Sequence, residues 1–117
     1  MQEGISLAEA VLLQHVSIAV FTMGGAGARA VTADGKRVAA PACGVQVVDS
    51  VGAGDYFCGA FLAAYRAGAV LQTCLAAGCA AGSEVVQCQG AKLPAAAWDR
   101  LGTVYGDLLQ LRRPVGV

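Results

Sequence analysis

The 117-residue sequence predicts an α/β fold with three layers, and three observations carry that prediction. Ser17 to Met23 is a continuous β-branched and aromatic run closed by Gly24-Gly25-Ala26-Gly27, which reads as a strand covered on both faces. Segments with apolar residues at helical spacing stand before and after the strand-like stretches. Hydrophobic residues make up 56% of the chain and charged ones 14%, a balance that buries a core and argues against disorder. Aromatics are only 6% while glycine occurs 16 times, so the packing should bring backbones close rather than stack large rings.

The elements follow in order. Ser6-Leu7-Ala8-Glu9 reads as a capping box, with the Ser6 hydroxyl accepting from the Glu9 amide and the Glu9 carboxylate reaching back. Leu7, Ala10 and Val11 then form the apolar stripe of a helix that fades near His15, a surface residue at the helix end. After the strand over 17–23, Ala28–Ala33 and Lys36–Ala40 form a hairpin around Asp34-Gly35, since both central residues accept positive φ. Pro41 ends the hairpin, and Val45–Val48 reads as a further short strand. Tyr56–Ala67 is a helix with Phe57, Phe61, Ala64 and Tyr65 at helical spacing, stopped by Gly68. A third helix, rich in alanine and glycine, runs from Leu71 to Cys88. Gly90 to Pro94 is a loop, and Pro94 suits the first turn of a last helix. That helix carries Trp98, Leu101, Tyr105 and Leu108 on one face, with Trp98 in the core, and ends by Arg112-Arg113-Pro114. Neither repeat nor linker interrupts residues 1–117, which read as one unit.

Composition also limits the partners. Eight basic and eight acidic residues cancel, which argues against nucleic acid or acidic lipid. The longest uncharged stretch, Ala67–Ser83, falls short of the roughly 20 apolar residues that span a bilayer. Five cysteines, an odd number without a CxxC pair or a secretory leader, are expected to be reduced and to act as small buried hydrophobes. A reducing, cytoplasmic location follows as the expectation. Cys74, Cys79 and Cys88 lack zinc-ligand spacing, and the single His15 is far away in sequence.

Chemistry concentrates at Gly52-Ala53-Gly54-Asp55, between the strand expected at Val45–Val48 and a helix start. Small residues there leave backbone N–H groups open at the positive end of a helix dipole, an arrangement that attracts a phosphate. The same field favours an ionised Asp55, which could accept a proton from a hydroxyl attacking a bound phosphoryl group. Asp49 supplies a second carboxylate able to hold a cation near the loop. The plainer reading is a tight turn with Asp55 as a dipole partner only.

Val47 to Leu62, VVDSVGAGDYFCGAFL, resembles the C-terminal signature of the ribokinase-like, or PfkB, carbohydrate kinases, written D-T-x-G-A-G-D-x-F-x-G-A-F. Thr22-Met23-Gly24-Gly25-Ala26-Gly27 resembles that family's T-x-G-x-x-G nucleotide loop, and Gly90-Ala91 its Gly-Ala after the adenine-side helix. The resemblance implies the C-terminal part of a ribokinase-like three-layer α/β/α fold, with residues 1–117 forming its nucleotide-binding and catalytic-base portion. It further implies ATP-dependent phosphotransfer to a hydroxyl of a sugar or nucleoside, with Mg2+ and, in many members, K+. Asp55 would be the catalytic base, and Gly52, Ala53 and Gly54 would form the anion hole for the transferring phosphate. Thr22 and Gly24 would touch ATP, Gly90 would lie beside the adenine, and Asp49 with the Val51 carbonyl would hold a monovalent cation. Ser50 stands where the family usually has Thr, and the hydroxyl some members use for the cation would fall near Leu93 or Pro94. The family's sugar-binding residues, lid strands and N-x-x-E motif do not appear in this sequence. Its apolar faces therefore predict an oligomer or packing against a missing N-terminal half.

Two other readings stand beside this one. Gly25-Ala26-Gly27-Ala28-Arg29-Ala30 formally matches a dinucleotide fingerprint, but that motif must open a helix and here a strand follows. The chain could instead be a truncated, non-catalytic nucleotide-binding or structural remnant of such a kinase.

Overall fold

Side-chain alternation along Ala28–Thr32 (β2) decides how the layers stack. The computed structural model describes the backbone of residues 2–108; the expected helix stop at Arg112-Arg113-Pro114 lies outside the described residues, as do the side chains of Tyr105 and Leu108. β2 is the middle strand of an antiparallel sheet, between β1 (Ile18–Thr22) and β3 (Arg37–Ala40). Ala28 pairs with Ala40, and Val31 with both Ala19 and Arg37, so alternation divides the strands into two faces. Ala28, Ala30 and Ala40 join a core with Phe57, Phe61 and Ala64 of α2 (Ala53–Arg66) and Cys74, Leu75 and Ala77 of α3 (Leu71–Val86). Arg29 and Arg37 stand on the opposite face, where both reach Glu9 of α1 (Gln2–Leu12). Helix, sheet and helix pair make the α/β three-layer arrangement expected from the sequence.

Glu9 is only 3% exposed. Burial alone would push its carboxyl up, but the Arg37 hydrogen bond at 2.8 Å and the charges of Arg29 and Arg37 hold it below the ordinary glutamate value. α4 (Ala95–Leu108) extends the helical layer and is fastened to α3 by Arg100, which donates to both Glu84 oxygens at 2.7 and 2.8 Å. Inside that layer α2 and α3 approach closely. A Cβ on Gly78 would sit 2.6 Å from the Phe57 ring, so only glycine lets that ring lie on the α3 backbone. The second helix ends as expected at Gly68. Its N–H donates to the Tyr65 carbonyl and that of Ala69 to Ala64, the paired bonds of a Schellman stop.

Several local expectations are corrected. The first helix begins at Gln2, which places Ser6 inside it, and Glu9 is drawn to two arginines rather than back to a cap. The helix consequently turns its Glu9 face inward and leaves Leu7 68% and Val11 51% exposed. β1 is an edge strand of this sheet and buries only Ala19, not both faces. Val45–Val48 forms no strand. The Val48 and Asp49 N–H groups both donate to the Val86 carbonyl at the end of α3, at 2.7 and 3.0 Å, so a helix terminus takes the donors a sheet neighbour would need. In the hairpin only Gly35 has positive φ (95°), because the Gly35-to-Thr32 and Thr32-to-Lys36 backbone bonds close a longer loop with a bulge. Trp98 is 55% exposed and lies beside Tyr56, with ring centroids 6.2 Å apart, while Ala97 takes the buried position. All five cysteines are free thiols, but Cys74 alone is buried, and Cys43 and Cys58 are exposed. Among the described residues, no helix is long and apolar enough to cross a membrane.

Two expected outcomes test this packing. Gly78→Val should destabilise the chain by about 1–3 kcal/mol, read as a lowered Tm, because the Phe57 ring has nowhere to move without opening the core. An unchanged Tm would show that the ring has room. Since the Glu9 carboxyl is depressed in the folded state, its contribution is fully present above the ordinary value of 4.5 and fades as pH falls through the lower folded-state value. Glu9→Gln should therefore be less stable than the parent at neutral pH, with the two acid-unfolding curves converging at low pH. Parallel curves would contradict the ion pairs.

Candidate active site

The turn that opens α2 is held by backbone geometry. Gly52 is the residue before the helix, with φ of 84°, and a Cβ on it would stand 2.8 Å from the Ala91 Cβ. Positive φ and close approach thus both demand glycine at this position. The Gly52 carbonyl accepts the first helical bond, from the Tyr56 N–H at 2.9 Å. N–H groups in a first helical turn lack intrahelical acceptors, and those of Gly54 and Asp55 belong to that set. The Ala53 N–H makes a long bond to the Ser50 carbonyl at 3.3 Å. A Cβ on Gly54 would meet nothing within 4 Å, so no neighbouring group crowds this residue at the positive end of the helix.

A second loop is clamped onto this turn. The Asp49 carboxylate accepts from the Val51 N–H through Oδ1 and from the Gly90 N–H through Oδ2, each at 3.0 Å. The hydrogen bonds from Val51 and then Gly90 hold the Asp49 carboxyl below the usual aspartate value. The Tyr56 hydroxyl donates to the Ala91 carbonyl at 3.1 Å. Ala91 is the one described non-glycine residue with positive φ (60°), next to Gly90 at 69°, so the clamp maintains a backbone conformation that alanine disfavours.

Two cavities flank the turn. The first, about 480 Å³, is lined by Thr22 and Gly24 from the end of β1, by Ser50, Ala53 and Gly54 from the turn, and by Cys79, Gly82 and Ser83 from α3. The second, about 570 Å³, lies among α2, α3 and α4, lined by Asp55, Tyr56, Gly59, Ala77, Ala80 and Trp98. The expected site residues therefore separate into groups. Thr22, Gly24, Ala53 and Gly54 share the first cavity. Asp49, Val51 and Gly90 are the clamp, Gly52 lies against Ala91 beside it, and neither Gly52 nor Gly90 lines a cavity. Asp55 is exposed at the edge of the second cavity, on the other side of the turn from the first.

Sequence reasoning missed the Tyr56–Ala91 bond and the α3 wall of the first cavity. The wall had a visible signal. Gly78 and Gly82 are one helical turn apart, and a Cβ at Gly82 would meet the Ala53 carbonyl at 3.6 Å. That spacing marks where α3 meets α2 and the turn.

Residues 1–98 match the model of the pfkB family carbohydrate kinases. Among solved structures, a probable sugar kinase from Rhizobium etli CFN 42 superposes with a TM-score of 0.76 at 29% identity, over 84% of this chain and 30% of that one. A nucleoside kinase of Methanocaldococcus jannaschii, an archaeal member of the ribokinase family, gives 0.70 at 32% identity, over 84% and 33%. Ribokinase of Arabidopsis thaliana, complexed with ribose and ATP, gives 0.76 at 29% identity, over 86% and 34%. The chain thus spans about a third of the length of the kinases it matches. No curated protein matches it.

Asp49→Asn replaces one acceptor of the clamp with a donor. The expected outcome is faster hydrogen exchange at the Gly90 amide, with exchange in the middle of α3 unchanged. Equal Gly90 exchange in the two proteins would refute the clamp.

Proposed function

The chain belongs to the pfkB family of carbohydrate kinases, and from that premise we propose that it carries the nucleotide-binding and catalytic-base portion of an ATP-dependent kinase acting on a hydroxyl of a sugar or nucleoside. The observation that carries this reading is the first cavity, which Thr22 and Gly24 line together with Ala53 and Gly54 from the first turn of α2. At about 480 Å³ it lies within the roughly 300–1,000 Å³ usual for small-molecule sites. Its glycine-lined mouth lets phosphate oxygens approach backbone donors at a positive helix end. ATP therefore fits the residues present.

In this reading Gly52, Ala53 and Gly54 form the anion hole, with Ala53 and Gly54 as the members that line the cavity. Asp55 is the base. It stands on the opposite side of the turn from the nucleotide cavity, so the acceptor hydroxyl would approach from that side and lose its proton to the carboxylate as it attacks. Gly90 acts through the clamp, holding the loop after α3 against the turn, rather than as a wall of the cavity. Asp49 and the Val51 carbonyl remain the proposed monovalent-cation ligands, K+ by family resemblance. Each Asp49 oxygen accepts a single N–H and keeps a lone pair for such an ion. The described residues contain no cluster of His, Cys, Asp and Glu suited to a metal ion, so Mg2+ is proposed to arrive on the ATP phosphates.

A second reading has a specific observation in its favour. Asp55 is exposed, and the cavity beside it is walled by Gly59, Ala77, Ala80 and Trp98, which offer little to orient a polar acceptor. The chain would then bind nucleotide without completing phosphotransfer alone, and a partner chain or an N-terminal half would supply the acceptor pocket.

Titration with MgATP, followed by amide shifts, should perturb Thr22, Gly24 and Gly54. An absence of response at millimolar nucleotide would sink the assignment of the cavity. Where phosphotransfer to a sugar or nucleoside is detected, Asp55→Asn should slow it by about 10²–10⁴-fold while leaving ATP binding nearly unchanged. Near-parental turnover would remove Asp55 as the base. Binding without transfer to any acceptor would select the second reading.

A further inference from the structure

The walls of the nucleotide cavity contain two thiols that no role above uses. Cys43 lies on the segment 41–50, which has no regular secondary structure, and Cys79 lies on α3. Both line the cavity that also holds Thr22, Gly24 and Gly54. The other three cysteines are placed differently. Cys58 is exposed on α2 and lines neither cavity, Cys74 is buried in the core, and the Cys88 thiol is turned to the Glu84 carbonyl. The fold thus selects one pair out of five free thiols.

We propose that Cys43 and Cys79 form a peroxide-sensitive dithiol set into the nucleotide cavity, so that their disulfide and a bound nucleotide exclude one another. The functional half of this rests on the assignment of the cavity to ATP made above. Their accessibilities divide the labour. Cys43 is exposed and meets the oxidant first, whereas Cys79 is half-buried. Burial pushes the Cys79 thiol up, and Cys43 adds to that rise. The Cys43 thiolate attacks one peroxide oxygen, the O–O bond breaks, and a sulfenic acid and water result. The Cys79 sulfur then attacks the Cys43 sulfur, the S–O bond breaks, and a second water leaves. In sum, two thiols and one hydrogen peroxide become one disulfide and two waters, with two electrons passing from sulfur to peroxide.

A disulfide needs Cα atoms about 4.4–6.8 Å apart. Meeting that requirement falls to the Cys43 segment. Cys79 is fixed within a helix, while Pro41 to Val47 make no backbone hydrogen bond among the described residues, and Gly44 adds freedom beside Cys43. Closing the bond draws this segment onto α3, into the cavity that Gly24 and Gly54 also line. A nucleotide seated there would hold the two sulfurs apart.

The test uses the whole chain. Reduced protein is treated with hydrogen peroxide, with and without saturating MgATP, and its disulfides are mapped under non-reducing conditions. The expected result is a peptide linking Cys43 to Cys79, formed at least about tenfold more slowly with MgATP and removed by reductant. Iodoacetamide should likewise label Cys43 more slowly with MgATP, while labelling of the exposed Cys58 stays unchanged. Cys43→Ser, at an exposed loop position, should abolish the linkage, as should Cys79→Ser. A disulfide elsewhere, Cys43 oxidised without linkage, or linkage at the same rate with MgATP bound would each overturn the proposal. If the reduced protein binds no nucleotide, the exclusion falls together with the kinase reading. The linkage map still decides the dithiol separately in that event.

Discussion

The ring of Phe57 lies on the bare backbone of Gly78, and the rest of the site depends on that contact. It sets the separation of α2 and α3, so it also fixes where the first turn of α2 projects. One turn along, Gly82 passes close to the Ala53 carbonyl, which makes the wall of one helix the floor beneath the N-terminus of the other. Larger side chains at positions 78 and 82 would separate the helices and fill the cavity under Gly54. High glycine and alanine content is thus a geometric requirement of this helix pair.

From that fixed turn, two polar fastenings work outward. Asp49 binds the loop after α3 through Gly90, and Tyr56 binds it through Ala91. Their combined effect is to hold two stretches distant in sequence at one end of α2, with an unusual left-handed pair of residues between them. On the far side of the sheet a different polar device operates. Glu9, almost wholly buried, joins α1 to β2 and β3 through Arg29 and Arg37. A carboxylate in that position is tolerated because two guanidinium groups replace the water it loses.

Much of the fold could be read from local chemistry. The hairpin at Asp34-Gly35, the stop at Gly68, the helix through Tyr56–Arg66 (which the structure extends back to Ala53) and the alanine-rich third helix follow from turn residues and periodicity, which act over a few neighbours. What failed were expectations whose outcome depends on distant partners. Ser6 and Glu9 have the spacing of a cap, yet Ser6 stands inside the helix, and two arginines about 20 and 28 positions away take the carboxylate, each bringing a full opposite charge that a backbone N–H lacks. Val45–Val48 has strand composition, yet a strand needs an adjacent edge, and here the end of α3 takes the donors of Val48 and Asp49. Trp98 looks like a core residue by type, but α4 touches its neighbours through Ala97 and Arg100 and leaves the indole beside Tyr56.

For the candidate site the division is similar. The sequence by itself determined which residues form the turn: the motif at Asp49–Asp55 and the loop at Thr22–Gly27 are recognisable because small residues at set spacing are what a phosphate-approaching backbone requires. Only the tertiary structure decided that Thr22, Gly24 and Gly54 share one cavity while Asp55 faces another, and that Gly90 works as a clamp. It alone brought Cys43 and Cys79 to the same cavity. The physical reason is that spacing along a chain specifies conformation over one or two turns. Which sides of those turns meet is settled by how closely α2 can lie against α3, and that is a property of the packed helices together.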